Sequence, residues 1–242
     1  MFNTKIEKMK KILVLLLLSV GVLNAQTERI WDYPIRPGSE EWAALSSHKD
    51  MLKVCQIPDD YLKTMATKDL IITCLNYPLK VDFYVYNSLH EGLIKVAAKF
   101  NGLQELFKRE DNAVCLFDMW ERANAETLSD KLQYQQGELV VKQSLIEAFL
   151  AHEHVLANAT LEQQKIIATI AFKNMEHKEK QPHLFSRYSL GASAYLLCAI
   201  LKRMNDRTAL SAELELFLET GTLHNSAQIE KLKQNYYKLL TN

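Results

Sequence analysis

The sequence predicts an all-α fold in which antiparallel helix pairs form a bundle or an irregular solenoid, and three observations carry that prediction. Only 7 Gly and 5 Pro occur in 242 residues, too few for the many turns of an all-β chain. Apolar residues recur at helical spacing, or polar residues stand where helix caps belong, in segment after segment from residue 39 to residue 240. Only one tract, Val81-Asp82-Phe83-Tyr84-Val85-Tyr86, has a strand-like composition, and it has no pairing partner.

The elements follow in chain order. Lys5, Lys8, Lys10 and Lys11 precede the apolar run 12–23, which ends at Asn24-Ala25-Gln26. A basic start, a run shorter than the roughly 20 residues that cross a bilayer, and a small residue at its end predict a signal peptide over 1–25, cleaved after Ala25. No cysteine stands at the cleavage point to take a lipid. The expected location is periplasmic or extracellular, with no integral membrane span after cleavage.

Residues 26–124 read as an N-terminal helical region with an extended lead-in, and 138–242 as a C-terminal one, continuous with the first across the polar stretch 125–137. Pro34 and Pro37 keep the lead-in extended. Ser39 caps a helix over 40–56, with Trp42, Leu45, Leu52 and Cys55 on one face. Pro58 opens a short helix, Thr67 caps another that reaches Asn76, and Tyr77-Pro78 stops it. Leu89, Leu93, Val96, Ala97 and Phe100 form the clearest amphipathic face, and short helices are expected over 103–109 and 112–123. Strong helices are expected over 138–157, 161–178, 186–205, 209–220 and 226–240. Thr160 and Gln163 make a capping box, and Gly221 stands as a C-terminal glycine.

Composition excludes some functions. The full chain carries 29 basic and 29 acidic residues; without residues 1–25, which hold four Lys and one Glu, 25 and 28 remain, a formal charge of −3. A weakly acidic chain without basic runs has no electrostatic footprint for nucleic acid. Cys55, Cys74, Cys115 and Cys198 match no metal-ligand spacing and lie among apolar helical residues, which favours free thiols over disulfides even in an oxidising compartment.

The succession Trp31-Asp32-Tyr33-Pro34-Ile35-Arg36-Pro37-Gly38-Ser39-Glu40-Glu41-Trp42, with Cys55-Gln56-Ile57-Pro58, Leu75-Asn76-Tyr77-Pro78-Leu79 and Phe100-Asn101-Gly102, resembles uncharacterised exported proteins of Bacteroidetes-type bacteria. The resemblance covers roughly residues 30–110. It implies an exported helical protein of a Gram-negative cell and brings no activity or site residues.

Candidate chemistry is sparse. His152-Glu153-His154 has the residue types of a zinc site but the wrong spacing, because positions two apart on a helix diverge by about 160°. Glu153 itself projects among Leu139, Leu145, Ile146, Phe149, Leu150 and Leu156 on a continuous helix, so a semi-buried carboxylate is expected there. Such a group either pairs with a donor, the favoured reading, or holds a proton and serves as a general acid. The chain contains neither a Gly-x-Ser-x-Gly elbow nor a Gly-rich phosphate loop. Gly191-Ala192-Ser193-Ala194 reads as a close-packing run, and Thr160 as a cap rather than part of a glycosylation acceptor. Lys173, Lys178 and Lys180, with His177 and His183, read as a solvated helix end.

Trp31 and Tyr33 are the candidate binding residues, as an aromatic surface for a sugar or a partner, whereas Trp42 shares a face with Leu45 and Leu52 and belongs to the core. No metal or cofactor is expected. The sequence therefore favours an exported, non-catalytic helical binding module acting on a protein or a cell-envelope component. The alternative is a glycan-directed envelope hydrolase with Glu153 as its acid.

Overall fold

A computed structural model describes residues 29–126, 131–204 and 210–241. The signal-peptide reading of 1–25 lies outside the described residues. Among the described residues the chain is all-α: thirteen α-helices, one 3-10 turn and no strand, with the helices packed in pairs.

The lead-in runs along one helix. The Arg29 amide donates to Asp69 Oδ2 at 2.9 Å and the Trp31 amide to Thr73 Oγ1 at 3.0 Å. These bonds satisfy backbone groups that an extended arm would otherwise leave unpaired. Short helices follow: α1 (Glu40–Ala43), α2 (His48–Val54), α3 (Asp59–Thr64) and α4 (Thr67–Leu75). The single helix expected over 40–56 is two, because Ser47 takes extended backbone and accepts the Asp50 amide as a second N-cap. Thr67 is not the cap of α4; its hydroxyl instead donates to Asp111 Oδ1 at 2.6 Å.

The strand-like tract forms a 3-10 turn (Lys80–Phe83). Tertiary packing decides this: Phe83 is fully buried, and its backbone lies against Gly92, where an added Cβ would fall 2.1 Å from the Phe83 carbonyl oxygen. Val81 and Val85 are left exposed.

Next come α5 (Leu89–Ala97), capped by Ser88, then α6 (Asn101–Leu106) and α7 (Asn112–Ala125). The C-terminal region holds α8 (Gln133–Leu150), α9 (Glu153–Asn158), α10 (Leu161–Glu179), α11 (Arg187–Met204), α12 (Ala212–Thr220) and α13 (Ser226–Thr241). The Thr160/Gln163 capping box forms as expected, and Gly221 ends α12 in the left-handed conformation, φ 67°.

Helix α11 is the hub. It packs on α5, α8, α10, α12 and α13 and is buried almost without interruption from Ala192 to Leu201. Helix α8 packs on α7, α4 and α5 as well, so one hydrophobic core reaches from Tyr33 to Tyr236 across the polar stretch 125–137. The four cysteines are free, three of them buried.

Candidate functional site

The side chains singled out in the sequence do not converge. Tyr33 is buried, and its hydroxyl donates to the Thr73 carbonyl at 3.2 Å, so it pins the lead-in to α4 and offers no open stacking face. Burial pushes its phenol far above the ordinary tyrosine range. Trp31 is half-buried and meets Tyr61 edge-on, with ring centroids 5.1 Å apart. Trp42 packs against the core.

Glu153 requires a correction. The helix expected over 138–157 stops at Leu150, and a new one starts at Glu153. Between them His152 takes extended backbone (ψ 135°) and stacks on Phe107, with ring centroids 3.7 Å apart and planes 7° from parallel. The break shifts the phase of everything after it. The Glu153 side chain is 84% exposed, 3.8 Å from His154 Nε2, and lines none of the cavities described below. A semi-buried acid is not what this position provides.

A fully buried carboxylate does exist among the described residues, at Glu147, one turn before the break. Its oxygens accept from Lys178 Nζ at 2.7 Å, from Asn174 Nδ2 at 3.0 Å and from Ser193 Oγ at 2.8 Å. Lys178, expected at a solvated helix end, is 3% exposed, and all three ammonium donors are used: Glu147, the Ser189 carbonyl at 3.1 Å and Ser193 Oγ at 2.9 Å. Ser193, inside the small-residue run, therefore serves this polar knot and not only close packing. A serine beside a lysine and a glutamate has the parts of an activated nucleophile. Here Ser193 and Glu147 are fully buried and every strong donor is engaged, so the set locks α8, α10 and α11 in register. Among the described residues, no three His, Cys, Asp or Glu side chains come together as a metal-holding group.

The feature with the shape of a binding site lies elsewhere. A groove of about 810 Å³ opens between α4, the 3-10 turn, α7 and α8. It falls within the range of about 300–1,000 Å³ that ligand pockets span. Ile72, Leu75, Val81, Met119, Val141 and Leu145 give it an apolar floor. Gly137 keeps its wall low, since a Cβ there would meet nothing within 4 Å.

Charge on the rim is uneven. Lys68, Lys80, Arg122 and Lys142 face Asp118 and Glu138. Arg122 already holds Asp118 at 3.0 Å, whereas Lys68 and Lys80 make no ion pair among the described residues. Tyr84 completes the wall. Its hydroxyl is buried without a hydrogen-bond partner among the described residues, and burial pushes its pKa up to about 12. Apolar floor and surplus cation suit an amphipathic ligand with acidic groups.

No protein-family model, curated protein or solved structure matches this chain. The groove was not legible in the sequence. Its residues come from elements separated by up to 77 positions, Lys68 to Leu145, and no sequence pattern brings them together.

Proposed function

We propose that the chain is a non-catalytic helical binding module whose groove takes an acidic, amphipathic helix of a partner protein. The observation that carries this reading is the combination, in one groove, of an apolar floor with two lysines that make no ion pair among the described residues. A helix laid into such a groove buries one apolar face and leaves its acidic flanks beside the rim. Each buried Leu-sized anchor contributes about 1.5–3 kcal/mol. Two or three anchors thus supply about 3–9 kcal/mol before the cost of association of about 4 kcal/mol or more, so the apolar face alone binds weakly and the rim charges add to it.

The leader-like segment 1–25 and the resemblance of residues 30–110 to exported helical proteins support an envelope protein as the partner. The hydrolase alternative loses its main support, because Glu153 stands exposed and outside the groove.

Calorimetry with two synthetic helices of equal length tests the proposal. Both carry Leu at i, i+3, i+4 and i+7, one flanked by Glu and the other by Lys. The Glu helix should bind, the Lys helix should not, and Lys68→Glu/Lys80→Glu should weaken binding at least about tenfold. Equal binding of both helices, or of neither, would overturn it.

A further inference from the structure

We propose that a second cavity, where α5, α8, α11 and the loop after α12 meet, is a binding site for a small carboxylate with an apolar or aromatic body. The cavity holds about 350 Å³, at the small end of the range of about 300–1,000 Å³ seen for ligand pockets. Among the described residues no Asp or Glu lines it, and one arginine does.

Arg187 makes no ion pair among the described residues. Its Nη2 donates to the Leu223 carbonyl, which holds the guanidinium in place and leaves Nε and Nη1 for a ligand. A fixed guanidinium with free donors matches the planar fork of a carboxylate.

Part of the lining is aromatic. Tyr195 and His90 stack with ring centroids 4.0 Å apart and share a hydrogen bond of 2.8 Å between Oη and Nε2, while the Tyr195 hydroxyl also reaches the Leu218 carbonyl at 3.1 Å. Burial, with His152 nearby, holds the His90 pKa down to about 4, so Arg187 is the lining side chain that brings charge at neutral pH. Tyr188, its hydroxyl donated to the Tyr86 carbonyl at 2.8 Å, adds a second aromatic face. Gly191 supplies the room: a Cβ there would meet nothing within 4 Å. This site is separate from the groove and does not depend on its occupant.

Benzoate and its neutral isostere benzamide are suitable probes, titrated into the isotope-labelled protein and followed by amide chemical shifts. Benzoate should give saturable shifts at Gly191, Gly221 and Thr222, with benzamide at least about tenfold weaker. Arg187→Gln should cost benzoate at least about tenfold in affinity. Gly191→Leu projects a side chain into the open space and should abolish binding while leaving the circular dichroism spectrum unchanged. Absence of saturable benzoate shifts, equal binding of benzamide, or undiminished benzoate binding by a folded Arg187→Gln or Gly191→Leu variant would overturn the proposal.

Discussion

Lys178→Met removes the cation from the buried polar knot while nearly conserving volume, so its effect isolates the electrostatics. Glu147 is fully buried and Lys178 almost so, with 2.7 Å between Nζ and Oε2. After the substitution Glu147 keeps only the neutral donors Asn174 and Ser193, and the Ser189 carbonyl loses its lysine donor. Stranding one member of a buried pair costs about 3–5 kcal/mol. Set against a total stability of about 5–15 kcal/mol, that loss is large. Urea unfolding followed by far-ultraviolet circular dichroism should show it as a lower midpoint with unchanged slope. The double variant Glu147→Leu/Lys178→Met removes both charges and should recover most of the loss, since apolar replacements of buried pairs are often neutral or stabilising by about 1–4 kcal/mol. A loss under about 1 kcal/mol for Lys178→Met, or a double variant no more stable than the single one, would refute the reasoning.

Three further outcomes follow from burial and charge. Glu153→Gln, at an exposed helix start, should change stability by less than about 0.5 kcal/mol in the same urea assay; a larger loss would mean that Glu153 is not the solvated group described above. Burial pushes the Cys55 thiol up to about 12 and Cys115 up to about 11, and raises Cys74 and Cys198 further. A thiol-specific disulfide reagent should therefore label half-buried Cys115 first and the rest only on unfolding, whereas prompt labelling of several thiols in the native protein would contradict the core packing. Burial also holds His90 and His152 down to about 4, below their unfolded value of about 6.5. Between those values the unfolded chain binds more protons than the folded one, so the contribution of these histidines to stability is complete above about pH 6.5 and lost as pH falls through 4. Thermal melts across that window should flatten in a His90→Gln/His152→Gln variant, and an unchanged pH slope would count against this assignment.

How much of this was legible varies with the element. Helices whose caps and apolar stripes are local were readable: the stripe Leu89, Leu93 and Val96 of α5, the Thr160/Gln163 box before α10, and Gly221 after α12 all stand where the sequence places them. The misreadings are tertiary in origin. No Pro or Gly marks the break at His152; it coincides with the stacking of that ring on Phe107, more than forty positions away, and so the projection that buried Glu153 continued a helix through a corner. The tract 81–86 has β-prone residues, yet the burial of Phe83 beside Gly92 coils it. Glu147 was missed because α8 is buried on every side from Gln143 to Leu150, which erases the polar–apolar contrast that spacing arguments need. A usable signal lay in α10: Lys178 continues the stripe Ile167, Ala171, Met175, and a lysine in that position demands a buried acid. The groove left no trace in any single segment, because its basic rim is assembled from residues of α4, the 3-10 turn, α7 and α8 in a chain whose overall charge is near zero.

The central claim is that the apolar, lysine-rimmed groove is where this protein engages its partner. Amide chemical-shift mapping during titration with the Glu-flanked amphipathic helix tests that claim most directly. The account predicts that saturable shifts gather at Lys68, Ile72, Val81, Tyr84, Met119 and Val141. Shifts centred instead on the lead-in around Trp31 or on the cavity around Arg187, or no saturable shifts at all, would contradict it.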